Sequence, residues 1–254
     1  MISNSYYRSA SGEPEIRRSR TAKAILALEI AISIRAARQR KPQIQECLLH
    51  EAAQDDFRDH LSQVMDTMAF AMEAYDHNTA SHQVRVAAIA CAIARELGWD
   101  EEHVHALQVA SLLHDVGKMT VSQEILNKPG RLNAEESAQV NLHPETGYDI
   151  LKDIPFPWPI AEVVRQHHER MDGSGYPRGL KGDEILPMAR VLAIADVLDA
   201  MRSARSYRPA FDLETVLVEL EGQAGMLLDA GMVKRCVSLF REKQCELTCL
   251  AHIA

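Results

Sequence analysis

The sequence predicts an all-α protein, a bundle of helices, and three observations lead there. Apolar residues recur at helical spacing from residue 57 onward, and no segment after residue 50 alternates convincingly as a strand. The composition agrees: 46% of the 254 residues are apolar and only 5% aromatic, with Ala, Leu, Glu and Arg plentiful. These side chains lose little rotamer freedom in a helix.

Taken in order, residues 1 to about 20 are polar, with Gly12, Pro14 and a basic cluster at Arg17, Arg18 and Arg20. A loose arm is expected there. From Ala24 to Ala37, Leu26, Leu28, Ile30, Ile32 and Ile34 alternate as in a strand, but intervening Ala and Glu favour a helix ending before Pro42. This apolar stretch is expected to pair with another helix or chain, giving a homodimer through the N-terminal segment. Phe57, Leu61, Val64, Met65, Met68 and Met72 form one helical stripe, read as core packing.

Val84, Ala87, Ala88, Cys91 and Ala94 mark the next helix, stopped near Gly98. Val104, Leu107, Ala110 and Leu113 mark another, ending near Gly117. Asn133 and Glu136 have capping-box spacing at the start of a further helix. Ile160 to His168 is a short helix, Met188 to Met201 follows Pro187, and two more begin after Asp212 and Asp229. The expected division is an N-terminal arm and helical segment over 1–52 and a main domain over 53–254.

The formal charge of −8 argues against sequence-independent binding to DNA or RNA. An anionic ligand would need local cations or metal ions. Five cysteines, Cys47, Cys91, Cys236, Cys245 and Cys249, form no pattern and are read as reduced thiols. The N-terminus lacks a basic start followed by an apolar block, and Ala24 to Ile34 is too short to cross a bilayer. A cytoplasmic protein without a membrane span is expected.

Candidate metal ligands are spread along the helices: His82, the pair His114-Asp115, His143, the pair His167-His168, and Asp196. Any one alone is more readily a packed or surface residue, and His50, His60, His77, His103, His105 and His252 are read that way. Cys245, Cys249 and His252 lack a fourth zinc ligand. The set is different from its members. Neighbours on a helix diverge by about 100°, so a His-Asp pair can send its imidazole to one metal while its carboxylate bridges to a second. Imidazole and carboxylate without thiolate suit Fe, Mn, Ni, Co or Zn.

Around these residues stand longer motifs. They run through Thr79-x-x-His82-x-x-Arg85-Val86, Leu113-His114-Asp115-Val116-Gly117-Lys118, Ile125-Leu126-Asn127-Lys128-Pro129-Gly130 and His143-Pro144-Glu145-x-Gly147. Next come His167-His168-Glu169-Arg170-Met171-Asp172-Gly173-Ser174-Gly175-Tyr176-Pro177 and Asp196-Val197-Leu198-Asp199-Ala200, with Arg205, Tyr207 and Arg208 following. In this order and spacing, over roughly residues 73 to 210, the sequence resembles the HD-GYP subfamily of HD phosphohydrolases.

The resemblance implies an HD-domain helical bundle with a Gly-Tyr-Pro loop at the metal site. It implies two divalent ions, Fe or Mn by preference. His82, His114, Asp115 and Asp196 would hold the first, and Asp115 would bridge to a second held by His143, His167 and His168. Asp115 and Lys118 would be catalytic, with Lys118 near the scissile phosphate. Gly175 and Tyr176 would line the substrate cleft, and Arg205 and Arg208 would bind substrate phosphates through their guanidinium forks.

The implied activity is hydrolysis of cyclic di-GMP, or a related cyclic dinucleotide, to pGpG, with further hydrolysis to GMP left open. The alternative is a receptor or protein-interaction module of the same fold with little turnover. The chain departs from the family pattern at Tyr75, at Asn78, where some members carry a Glu that supports a third metal, at Ala200-Met201-Arg202, and at Arg208. These changes bear on substrate fit and on a third metal, not on the two-metal set.

Overall fold

A computed structural model of the chain describes residues 77–203 and 209–242. The described residues fall within one compact unit, 62–254. The expected N-terminal arm, the apolar stretch from Leu26, the Met-rich stripe and the Cys245/Cys249/His252 group all lie outside the described residues.

Among the described residues the structure is helical, with a single isolated bridge between Ala224 and Leu228 and no strand. The helices are α1 (His77–Glu96), α2 (Glu101–Leu113), α3 (Gln123–Leu126), α4 (Ala134–Val140) and α5 (His143–Leu151), then α6 (Ile160–Gln166), α7 (Pro187–Arg202), α8 (Leu213–Gln223) and α9 (Ala230–Arg241). The all-α expectation holds.

Sequence explains where most of them start and stop. Asp100, Asp212 and Asp229 cap α2, α8 and α9 by accepting from the backbone N–H three residues on. Asn133 and Glu136 form the capping box of α4 in both directions. Pro187 occupies the first turn of α7, where no N–H is needed. Gly98, at φ +79, turns the chain out of α1 in a conformation that favours glycine.

The centre of the bundle is α1 against α2 and α7. Val86, Ile89, Ala90, Ile93 and Ala94 of α1 and Val191, Leu192, Ile194, Ala195 and Leu198 of α7 are inaccessible to solvent. A helix apolar over most of its circumference is a buried helix, and both have that character. Val84 is an exception to the expected stripe, since it is exposed. α6 packs on α2, α5 and α7, and α9 packs on α1, α7 and α8.

Two segments differ from the sequence expectation. The helix through Val104 stops at Leu113 rather than near Gly117; His114 and Asp115 then lead into a 3₁₀ turn, Val116–Thr120. The helix His143–Leu151 is not legible from local pattern, because Pro144 and Gly147 read as loop residues. Pro144 sits in the first turn, where it is tolerated. Gly147 and Gly117 are contact points: a Cβ on Gly117 would lie 2.0 Å from the carbonyl oxygen of His143 and 2.7 Å from the nitrogen of Gly147. Only glycine lets the 3₁₀ turn and α5 approach that closely. This contact brings His143 to Asp115.

Candidate metal centre

The helix ends deliver imidazoles and carboxylates to one place. His82 comes from the N-terminal half of α1, His114 and Asp115 from the turn after α2, and His143 from the start of α5. His167 and His168 follow α6, and Asp196 lies on α7. The rings form a continuous cluster: centroids of His82 and His114 are 5.5 Å apart, His114 and His167 5.1 Å, and His143 and His168 5.0 Å. His114, Asp115 and His143 are 1% exposed, and His167 is inaccessible.

Three of the imidazoles are oriented by the same local device. Nδ1 of His114, His143 and His167 each donates to the carbonyl three residues back, of Ser111, Val140 and Val164, at 2.6, 2.7 and 2.6 Å. With the proton on Nδ1, each Nε2 presents its lone pair to the centre. These lone pairs meet other acceptors. Nε2 of His143 lies 3.2 Å from Nε2 of His167 and 3.3 Å from Oδ1 of Asp115, while Nε2 of His114 lies 3.4 Å from Oδ2 of Asp115. His114 Nε2 and Asp115 Oδ1 are buried without a hydrogen-bond partner. Buried acceptors facing one another call for a cation, since an unpaired buried polar group is costly.

Two sets of ligand atoms lie within metal-binding reach of each other, His82/His114/Asp115 and His143/His167/His168. Asp115 contacts both sets through its two oxygens. Asp196 joins through Oδ1, 3.2 Å from His82 Nε2, and Oδ2, 4.0 Å from His168 Nδ1. The residues therefore fit divalent metal by donor chemistry as well as by placement.

The protonation states point the same way. Burial lowers the pKa of His143 to about 4 and of His168 to about 3, and takes His167 well below its ordinary range. Neutral imidazole is the form that ligates metal. For Asp115, burial opposes ionisation, but Lys118, His114 and His143 outweigh it and hold the carboxyl well below the usual range. Asp196 is held low likewise, burial being outweighed by His82, His168 and His114. His82 is the exception: burial is outweighed by hydrogen bonds to Asp196 and Asp199, and its pKa is pushed up to about 9. Protonated, His82 donates from Nδ1 to Asp199 at 2.7 Å and from Nε2 towards Asp196 Oδ1 at 3.2 Å.

A second layer holds these groups. Asp199, 2% exposed, accepts from His82 Nδ1 at 2.7 Å and from Arg85 at 2.6 and 3.0 Å, and Ser203 donates to it at 3.3 Å. Lys118 Nζ donates to Asp115 Oδ2 at 2.6 Å. Sequence reading quoted Arg85 and Asp199 within the motifs but gave them no role. Their spacing, three residues after His82 and Asp196 on their helices, is the signal that places them on the same face.

The Gly-Tyr-Pro loop lies against the centre. The buried carboxylate of Glu169 accepts from the backbone N–H of Arg178 and Leu180 at 2.8 and 3.0 Å, closing the loop on itself. A Cβ on Gly175 would lie 2.5 Å from the carbonyl oxygen of His168 and 2.4 Å from the nitrogen of Arg170. That close approach carries the Tyr176 ring to 4.9 Å from the His168 ring. The peptide between Tyr176 and Pro177 is cis. Arg170 is half-buried beside this loop, with burial lowering its pKa against the pull of Asp196 and Tyr176. Arg205 and Arg208 lie outside the described residues.

A helical bundle whose helices converge on buried histidines and aspartates defines a candidate metal-site protein. The chain belongs to the HD domain family, whose model matches residues 63–232, as its motif resemblance implied. It is 34% identical over 222 residues to the cyclic di-GMP phosphodiesterase response regulator RpfG of Xanthomonas campestris, covering 87% of this chain and 57% of that protein. It is 37% identical over 181 residues to 3'3'-cGAMP-specific phosphodiesterase 2 of Vibrio cholerae, covering 70% of this chain and 35% of that one. The chain thus spans little more than half of the first relative's length and about a third of the second's. The solved structure of Bd1817, an HDG"Y"P protein from Bdellovibrio bacteriovorus, shares the fold, with a TM-score of 0.53 at 21% identity over 63% of this chain and 51% of that one. HD-domain phosphohydrolases are metal-dependent, and the His/Asp groups here can bind metal. No helix among the described residues is long and apolar enough to cross a membrane.

Proposed function

We propose that this chain is a metal-dependent phosphodiesterase that hydrolyses a cyclic dinucleotide, cyclic di-GMP in the first place, to the linear pGpG. The observation that carries it is Asp115, buried between two sets of imidazoles with its two oxygens turned one to each set. Relatives named for action on cyclic di-GMP and on 3'3'-cGAMP support the substrate class.

In this reading His82, His114, Asp115 and Asp196 hold one divalent ion, and Asp115, His143, His167 and His168 hold the other, iron or manganese. When bound, such a pair supplies Lewis acidity that activates water and offsets charge on the phosphoryl oxygens. The protein's own groups do the rest. Nδ1 hydrogen bonds keep three imidazoles in the ligating tautomer, and burial keeps His143 and His167 neutral. Lys118, 27% exposed and paired with Asp115, is a fixed cation at the rim that offsets charge developing on phosphate. Tyr176 and the glycine backbone at Gly175 form a wall against which a base or ribose rests. Arg205 and Arg208 keep the phosphate-binding role that the motif resemblance implies, and 53–254 remains the proposed extent of the phosphodiesterase domain, working in the cytoplasm.

A substrate panel tests the reading. Protein loaded with Fe(II) or Mn(II) under anaerobic conditions is expected to linearise cyclic di-GMP or cyclic GMP-AMP and to leave nucleoside monophosphates untouched. Turnover of monophosphates alone would replace it with a nucleotidase.

A further inference from the structure

The four helices that carry most of the candidate ligands also converge at their other ends. Gly98 and Trp99 follow the C-terminus of α1, whereas His82 lies near its start. Asp100 and His103 open α2, whereas His114 follows its end. Trp158 and Pro159 precede α6, whereas His167 terminates it. Leu186, Pro187 and Met188 begin α7, upstream of Asp196. These beginnings and ends line a solvent-open cavity of about 530 Å³. Since α2 runs between the two places, they stand about 20 Å apart at 1.5 Å per residue.

We propose that this cavity is a second ligand site, separate from the metal centre, that takes a planar aromatic molecule without negative charge. Its volume lies within the range of about 300–1,000 Å³ typical of small-molecule pockets. The chain has two tryptophans, and both line the cavity. Trp158 is further held by the edge of the His105 ring, centroids 5.9 Å apart, which fixes one aromatic wall in advance. Val163, Leu186 and Met188 supply aliphatic surface. The Asp100 carboxylate stands at the mouth, engaged by the backbone and ring of His103 and held below its ordinary pKa by those hydrogen bonds. An acidic rim over an apolar, aromatic interior selects against anions, so the site does not duplicate the phosphate chemistry at the far end.

Titration of the full chain with N-phenyl-1-naphthylamine tests this, because both tryptophans sit where they can pass excitation to a bound probe. Saturable binding of one equivalent is expected, with tryptophan emission lost as probe emission rises. Leu186→Arg puts a charge into the lining and is expected to weaken binding by about tenfold or more, with circular dichroism and metal content unchanged. Should Leu186→Arg not fold, Trp99→Ala, at a half-exposed position in the turn after α1, takes its place. Loss of affinity there supports the site, and unchanged affinity overturns it. Absence of saturable binding by the unaltered chain also overturns it. Equal affinity for the sulfonated analogue, 8-anilinonaphthalene-1-sulfonate, would overturn the assigned charge.

Discussion

Asp199 accepts the Nδ1 proton of His82 at 2.7 Å, so a residue one turn beyond the candidate ligand Asp196 sets which nitrogen of His82 faces the metal centre. Arg85 and Ser203 in turn hold Asp199. Partners of this kind typically change metal affinity by about 10- to 100-fold when removed. Asp199→Asn is therefore expected to weaken metal binding by that order while the helical fold survives, since the amide keeps the shape and loses the charge. Competition with a chelator of known affinity reads the change, and unaltered retention would remove Asp199 from the account.

Asp115 and Lys118 separate by what each loss does. Asp115→Ala removes the carboxylate between both imidazole sets and is expected to bring hydrolysis to background with metal content reduced. Lys118→Met is expected to keep the metals and lower kcat by about 10²–10³-fold, the range for deleting a preorganised charge or donor. His103→Ala, a surface position paired with Asp100, is the control expected to stay near the unaltered rate. Metal loss on Lys118→Met would make the lysine structural.

The buried imidazoles predict a pH window. His143 and His168 are depressed to about 4 and about 3, below the ordinary value of 6.5. The unfolded chain takes up protons from about pH 6.5 downward that the folded chain refuses, so stability falls as pH drops through that window. His82, raised to about 9, acts oppositely in metal-free protein: its contribution is full below 6.5 and is lost as pH rises through about 9. Metal competes with protons at His82 below about pH 9 and at His143 and His168 only near pH 4 and below, so metal content is expected to fall most steeply on acidification towards pH 4. Thermal melting of stripped and loaded protein across pH 4–10 checks both limbs. A flat acid limb would contradict neutral, buried imidazoles.

Much of this was legible in the chain itself, for different reasons at different places. The capping acids Asp100, Asp212 and Asp229 announce helix starts because a side-chain oxygen before an apolar periodic run has one good use. The candidate ligand set came from spacing shared with a known family, and the structure brings its seven residues to one place. α5 was not legible, because its glycine answers to α6 and to the 3₁₀ turn across the bundle rather than to its own helix.

Gly117 yields a prediction of its own. A methyl group there would meet the backbone of α5 at 2.0 Å, which no side-chain rotation relieves. Gly117→Ala is expected to cost on the order of 2 kcal/mol or more, as forced overpacking does, and to displace His143 from Asp115. Reduced metal occupancy beside a lowered melting temperature is the expected pair of signs. Unchanged occupancy would detach the α5 contact from the metal centre.

The most direct test of the central claim is turnover of cyclic di-GMP as metal is returned to stripped protein, one equivalent at a time. With manganese, or with iron under anaerobic conditions, activity is expected to be absent in stripped protein, to rise as the ion pair fills, and to level off at two equivalents per chain. Linear pGpG is the expected product. Turnover by stripped protein at the full rate, or none at two bound equivalents, would contradict the account.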